Sequence, residues 1–250
     1  MVNTELKQKR LSLSKEIAYI GTTCALLLGG QFVFSFIVGV EVVTIILVSF
    51  SFIFGARRGI ICAIGFSLLR CLLYGFYPTV VLLYLIYYPL LALVFGLLGK
   101  CKSFSSPLCA IAVNLLLIAI SAACAVCYFA DIIKVAKVYA VTIKVLLWVI
   151  FSLCCALCIT YDCIYFSKIK QKDELLKVVL IASVGAVMTA LFTILDDIIT
   201  PLFWGYTRLT ALAYFYSSFT AMLPQVICTV VSICTLFLPL TAVFQKVLNF

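Results

Sequence analysis

Eight apolar segments, separated by short connections, make up most of this 250-residue chain. Apolar residues account for 66% of it and charged residues for only 11%, against about 25% charged residues in soluble domains. The runs are continuous rather than alternating, which favours helices, because a helix satisfies its backbone hydrogen bonds internally when it crosses a bilayer. The segments are residues 17–38, 42–54, 60–76, 80–98, 108–129, 138–166, 178–195 and 215–243. The sequence therefore predicts an all-α, polytopic membrane bundle that forms a single integral membrane domain, 1–250.

Basic residues cluster in alternate connections between these segments. The clusters are KQKR near the N-terminus, Arg57-Arg58, Lys100 with Lys102, the stretch KIKQKDELLK, and Lys246. All of them fall on one side of the membrane if both termini are cytoplasmic, and only Lys134 and Lys137 then oppose the positive-inside rule. We predict eight spans after a cytoplasmic segment, 1–16, or six or seven spans if one segment is re-entrant. The net charge of +9 arises from these loops and does not indicate nucleic-acid binding.

The second segment is bounded by a carboxylate and two arginines, in GVEVVTIILVSFSFIFGARRG. Its run of about thirteen uncharged residues rises only about 20 Å as a helix, against a hydrocarbon core of about 30 Å. Glu41 should therefore sit at or inside the membrane surface, where acids usually line a site, a relay or a water-filled cavity. The alternative is that Glu41 extends to the interface and has no further role.

The third segment carries a polar face. Ser67, Arg70, Tyr74 and Tyr77 are spaced three, four and three residues apart, which places them on one side of a helix. Arg70 lies about eleven residues into this segment, roughly 17 Å deep, and should face a polar cavity with a partner. An internal pair with Glu41 that binds no ligand is the alternative.

Tyrosines occupy the first half of the fourth segment, at Tyr84, Tyr87 and Tyr88. Tyrosines near the end of a span usually form an interfacial belt. The alternative is a stacking wall for the ring of a ligand.

A stretch rich in polar and aromatic residues begins at the end of the seventh segment. Its sequence is LDDIITPLFWGYTRLTALAYFYSS. We predict that residues 195–214 form an outer connection, interrupted at Thr200-Pro201, that packs as a cap over a membrane cavity. Its candidate ligand-binding residues are Asp196, Asp197, Thr200 and Trp204. Gln225, in the eighth segment, should face either the cavity or a neighbouring helix. An ordinary interfacial loop is the alternative to a ligand-binding cap.

Small residues recur at helical spacing in the first segment. They are Ala18, Gly21, Thr22 and Ala25. Such residues allow another helix to approach closely, so this face fits either a partner subunit or internal packing.

The thirteen cysteines, in a chain without histidine, include two zinc-like pairs, Cys124-x-x-Cys127 and Cys155-x-x-Cys158. In an antiparallel pair of spans these would lie at different depths, so we interpret the cysteines as small apolar residues and expect no metal and no cofactor. The sequence contains no H-E-x-x-H motif and no G-x-S-x-G serine. We therefore expect no catalytic residues and no enzyme activity.

Three parts of the chain resemble the substrate-binding S components of energy-coupling factor (ECF) vitamin transporters. They are AYIGTTCALLL, GVEVVTIILVSFSFIFGARRGI with LLYGFYPTVVLLYLIYYPLLALVFGLLGK, and LDDIITPLFWG with AYFYSSFTAMLPQ and LFLPL. The resemblance implies a core of six helices, formed here by residues 17–100 and 178–250, with residues 108–166 as a two-helix insertion. It also implies a multi-pass protein of the bacterial plasma membrane.

The resemblance further implies capture of a vitamin or related small molecule at the extracellular face. A transmembrane coupling subunit and two ATPase subunits would then complete an ABC importer. The chain itself lacks a G-x-x-x-x-G-K-[ST] phosphate loop. By position, Ala18 and Thr22, or Gly21 and Ala25, match the helix that meets the coupling subunit. The ligand position of the family corresponds here to Glu41, Asp196, Asp197, Thr200, Trp204 and Gln225.

A second function fits the same bundle. The chain could be an MreD-like structural membrane scaffold with no small-molecule ligand, whose polar residues only fix helix packing.

Overall fold

The computed structural model describes residues 12–36, 42–101, 103–129 and 137–249. Within these ranges every regular element is helical, which confirms the predicted all-α class. The helices are α1 (Leu13–Phe34), α2 (Val42–Phe54), α3 (Ala56–Tyr74), α4 (Pro78–Leu98), α5 (Pro107–Phe129), α6 (Lys137–Phe166), α7 (Lys172–Trp204) and α8 (Arg208–Asn249).

Six of these helices are long and apolar enough to cross a membrane. They are α1, α4, α5, the part Lys144–Phe166 of α6, α7, and α8 up to Leu248. The other two differ: α2 has only 13 residues, and α3 carries three arginines in its 19 residues. The described chain is thus a multi-pass membrane bundle, and six of the eight predicted segments meet the length and composition of a span.

The short helix α2 lies at the centre of the bundle. Eleven of its 13 residues are buried, and it packs against α1, α3, α4 and α8. Phe50 stacks on Phe54 with ring centroids 4.6 Å apart, and Phe52 meets Phe237 of α8 edge-on at 5.2 Å. A helix that is apolar on all sides needs burial on all sides, and its four neighbours supply it.

The turn between α2 and α3 is held tightly against α4. Gly55 joins the two helices with φ 86°, a conformation that favours glycine. A Cβ atom at Gly96 of α4 would collide with the backbone of Ala56. The close approach of α3 and α4 therefore depends on a glycine at position 96.

Polar contacts join three helices at one end of the bundle, which we call the Glu16 end. Arg58 Nε lies 3.2 Å from Glu16 Oε1, which pairs the start of α3 with the start of α1. The Tyr19 hydroxyl donates to the carbonyl of Val247 at 3.1 Å, which links α1 to the end of α8. The C-terminal part of α1, the end of α3 and the start of α4 lie at the opposite end.

Helices α5 and α6 form an antiparallel pair beside the other helices. Among the described residues they pack on each other, on α7 and, through α6, on α8. Asn114 of α5 donates to Asp162 of α6 at 2.7 Å. Asp173, at the start of α7, accepts from the backbone amides of Phe104 and Ser105, each at 2.9 Å, and so holds the loop that leads into this pair.

The predicted cap over residues 195–214 is wrong, because this stretch is helical. Helix α7 continues to Trp204, α8 begins at Arg208, and only residues 205–207 join them. Pro201 lacks the amide that would bond to the Asp197 carbonyl, yet it lies only one turn from the helix end. The helix ends at Gly205, which adopts the left-handed conformation (φ 61°, ψ 41°) typical of a helix C-terminus.

We expect Gly96→Ala to lower the thermal stability of the detergent-purified protein, by about 1–3 kcal/mol, because the added methyl group must displace the backbone of α3. The control is Gly21→Ala on α1, where an added Cβ meets nothing within 4 Å. This control should be neutral or slightly stabilising. Equal unfolding temperatures for the two variants would contradict the close approach of α3 and α4.

Candidate ligand-binding site

Arg70 lies between two tyrosine rings near the end of α3. Its Cζ atom is 4.2 Å from the ring centroid of Tyr84 on α4 and 5.3 Å from that of Tyr74. Its Nε atom is buried and has no hydrogen-bond partner among the described residues. The Ser67 hydroxyl, one turn earlier, donates to the Ala63 carbonyl at 2.8 Å and lies 3.2 Å from the Tyr84 carbonyl oxygen. The predicted face of Ser67, Arg70 and Tyr74 therefore points towards α4.

Tyr77 does not belong to that face. Helix α3 ends at Tyr74, and Gly75 then adopts φ 100°, so the helical spacing stops before residue 77. Tyr77 precedes α4 and is largely exposed. The prediction that it extends the face of Arg70 is wrong, because a glycine turn separates the two.

Gln31 of α1 completes the group and was missed by the sequence analysis. Its Nε2 atom donates to the hydroxyl of Tyr84 at 3.4 Å. Its Oε1 atom, like the Tyr74 hydroxyl, is buried without a hydrogen-bond partner among the described residues. A single amide in the apolar run LLLGGQFVF is the signal that could have identified it.

The tyrosines of α4 lie inside the bundle. Tyr84, Tyr87 and Tyr88 are all buried, and Phe192 of α7 packs on the Tyr87 ring at 4.8 Å and on the Tyr84 ring at 6.0 Å. Tyr88 meets Phe66 of α3 edge-on at 5.1 Å. The interpretation of these residues as an interfacial belt is therefore wrong, because their rings form an aromatic wall between α3, α4 and α7.

Asp196 and Asp197 lie on α7 and connect it to α8. Asp196 accepts from the Tyr214 hydroxyl at 2.7 Å and from the Thr200 hydroxyl at 2.8 Å. Asp197 accepts from the Ser218 hydroxyl at 2.7 Å, while its Oδ1 atom is buried without a hydrogen-bond partner in the described chain. These acids, predicted for a loop, act here as acceptors between two helices.

Two other predicted site residues lie apart from these contacts. The Trp204 side chain is 60% exposed at the end of α7, and its ring contacts Phe203 at 5.5 Å. Gln225 is half-buried in α8 and makes no hydrogen bond to the described residues. The contacts that surround Arg70 include neither residue.

Glu41 lies outside the described residues. The two helices that flank it are close to each other, since a Cβ atom at Gly30 of α1 would lie 3.7 Å from Val42 of α2. Gln31 follows Gly30 directly. The start of α2 therefore lies beside Gly30 and close to Gln31.

The small residues of α1 face outwards. Ala18, Gly21, Thr22 and Ala25 are all exposed. A Cβ atom at Gly21, or at Gly29 further along the helix, would meet nothing within 4 Å. This face is not used for packing against the described helices.

The two zinc-like cysteine pairs do not converge on a common metal position in the described part of the α5–α6 pair. Cys158 lies beside Asn114, with 3.4 Å between its sulfur and the amide oxygen. Cys127 lies thirteen residues beyond Asn114 on α5, about 20 Å along the helix. In the described part of the chain, no group of three or more metal-ligating side chains converges.

Comparison with known proteins gives no relative: no family model, no curated protein and no solved structure matches this chain. Function must therefore be argued from the residues and their contacts.

We expect Tyr214→Phe to destabilise the protein by about 1–3 kcal/mol, because it removes a hydrogen bond to a partly buried carboxylate. Tyr206→Phe is the control, since the ring of Tyr206 contacts that of Tyr214 at 6.0 Å but its hydroxyl has no hydrogen bond to the described chain. Thermal unfolding in detergent measures both. Similar small losses in the two variants would show that the bond to Asp196 does not hold α7 and α8 together.

Proposed function

We propose that this protein is the substrate-binding membrane subunit of an ECF-type importer, which captures a vitamin or a related micronutrient. One observation carries the binding function. Buried polar atoms of Gln31, Arg70 and Tyr74, without partners among the described residues, gather around Tyr84 inside an apolar bundle. Nearly all buried polar groups in proteins are hydrogen-bonded, and ionisable groups at membrane depth are usually functional.

The proposed site lies between α1, α3 and α4. Arg70, Tyr74 and Gln31 supply its polar groups and Tyr84 supplies an aromatic face. Glu41, which lies outside the described residues, remains a candidate member from the sequence alone. Small-molecule sites commonly combine a mostly apolar lining with a few convergent polar groups. That composition fits a small molecule that carries a ring.

The acids of α7 lie near the side of the proposed site that faces α7. Asp196 lies one turn beyond Phe192, whose ring packs on the aromatic wall of α4. Asp196, Asp197 and Thr200 thus belong to the proposed site as its α7 margin. Trp204 and Gln225 are left out of it, because the Trp204 ring is mostly exposed and Gln225 makes no contact that links it to Arg70.

The outward face of α1 supports the proposed partner. Ala18, Gly21, Thr22 and Ala25 are exposed small residues, and such faces allow helices to pack at short distance in a membrane. We assign this face to the transmembrane coupling subunit, which joins two ATPase subunits. The protein would work in a bacterial plasma membrane with both termini in the cytoplasm.

The runner-up is an MreD-like scaffold without a ligand. The hydrogen bonds of Asp196 and Asp197 to α8 favour it, since they use intramembrane acids for packing alone. Depletion would then change cell shape and leave nutrient uptake unaltered. The importer subunit is preferred, because packing alone does not explain the unpartnered atoms around Tyr84.

The outward face of α1 can be tested by co-purification. We expect Ala25→Leu to abolish recovery of the coupling and ATPase subunits after co-expression, because a larger side chain prevents close helix contact. Ala112→Leu, at an exposed alanine of α5, is the matched control and should leave recovery unchanged. If both variants recover the partners as the wild type does, α1 is not the contact helix.

Ligand capture can be tested by native mass spectrometry on the protein purified alone. We expect one retained small molecule per chain, lost in Tyr84→Leu because that change removes the aromatic face and the Gln31 hydrogen bond. The control is Tyr128→Leu on α5, which also removes a ring near a basic side chain, Lys144 at 5.9 Å. Wild-type protein that remains empty, even after growth with added vitamins, would favour the scaffold.

A further inference from the structure

No acidic side chain in the described part of the chain pairs with Arg70. The described acids have other surroundings: Glu16 pairs with Arg58, Asp162 accepts from Asn114, and Asp173 accepts from backbone amides. Asp196 and Asp197 accept from hydroxyls of α7 and α8. Glu174 lies at the exposed start of α7. An arginine stays charged under all ordinary conditions, so a charge that no described acid neutralises favours an anion.

The neighbours of Arg70 do not replace such an anion. Two tyrosine rings face the guanidinium, and cation–π contacts contribute about 0.5–2 kcal/mol. They satisfy none of the guanidinium N–H donors, and Nε in particular is buried without an acceptor in the described chain. The planar fork of arginine is suited to a carboxylate, which can accept two of its hydrogen bonds.

The donor or acceptor character of the other unpartnered atoms indicates which groups the ligand must carry. The Tyr74 hydroxyl can donate to the same anion. The Gln31 Oε1 atom can only accept, so it requires an N–H or O–H group on the ligand. A single arginine among neutral polar groups matches one negative charge, which fits a carboxylate better than a doubly charged phosphate.

We propose that the ligand of this site is a carboxylate with a nearby N–H or O–H donor, and that Arg70 binds the carboxylate. This inference rests on the proposed binding function and specifies its substrate class. Tyr84 would lie against the apolar or ring portion of the ligand, Tyr74 would share the carboxylate, and Gln31 would accept from the donor.

The first experiment compares three forms of the full chain by native mass spectrometry: wild type, Arg70→Gln and Arg58→Gln. In the wild type, we expect a retained molecule that fragments as a carboxylic acid. In Arg70→Gln, its occupancy should fall at least about thirtyfold, because a charge pair then loses one partner. Arg58→Gln removes an arginine at the Glu16 end and should retain the ligand. Tyr74→Phe deletes a single hydroxyl and should weaken retention about tenfold, which tests the site even if Arg70→Gln does not fold.

The second experiment uses matched probes in thermal unfolding: nicotinate with nicotinamide, biotin with biotinamide, and pantothenate with panthenol. Within at least one pair, the carboxylate should stabilise the wild type more than its neutral partner, and Arg70→Gln should abolish the difference. A retained molecule without a carboxylate, such as a cation or a phospholipid, would overturn the inference and leave ligand capture standing. Wild-type protein that retains nothing and responds to no probe would overturn both proposals.

A double-variant cycle separates ligand binding from an internal ion pair. If Arg70 only pairs with Glu41, then Glu41→Gln and Arg70→Gln should each destabilise the protein, and the double variant should recover most of the loss. That result would overturn the inference. Additive effects of the two changes support a ligand as the counter-charge.

Discussion

The helices of this protein are arranged around a buried helix that is too short to cross the membrane. Helix α2 is apolar on all sides, and α1, α3, α4 and α8 together enclose it so that its apolar surface is buried in the protein. Because α2 has 13 residues, it rises only about 20 Å, and its two ends cannot both reach the depths at which its neighbours end. At least one end of α2 therefore lies inside the bundle. Gln31 and Arg70 both contact Tyr84 within this otherwise apolar structure.

The sequence predicts the helices well where charges bound an apolar run. The run 42–54 coincides with α2, because Glu41 and Arg57-Arg58 mark its limits. The prediction fails at residues 195–214, where an Asp pair and a Thr-Pro step resemble the end of a helix. The hydroxyls that accommodate the two acids lie on Tyr214 and Ser218 of α8. Hydrogen bonds between helices leave no local pattern in the sequence. The polar residues of this stretch therefore led to the prediction of an outer connection, whereas they lie on two hydrogen-bonded helices.

The same distinction applies to the candidate site. The shared face of Arg70 and Tyr74 follows from helical spacing alone, and the structure turns that face towards α4. The contact of Gln31 with Tyr84 joins residues 53 positions apart in the chain, and no spacing rule connects them. Tyr77 was predicted to share the face of Arg70 because it lies three residues after Tyr74, which continues the helical spacing. The backbone at Gly75, with φ 100°, ends the helix before that residue.

The buried polar residues of the described chain differ in how far their burial is compensated by hydrogen bonds. The acids of α7 each accept a hydrogen bond from a hydroxyl of α8 and so join two long helices, and of their oxygens only Asp197 Oδ1 is buried without a partner in the described chain. Arg70, Tyr74 and Gln31 are buried at polar atoms that the described chain leaves without partners. Burial of a polar group without a hydrogen bond costs roughly 1–3 kcal/mol, and three such groups gather at Arg70 and Tyr84. A ligand that supplied their missing partners would offset this cost, and for this reason we propose the group around Tyr84, rather than the α7–α8 contacts, as the binding site.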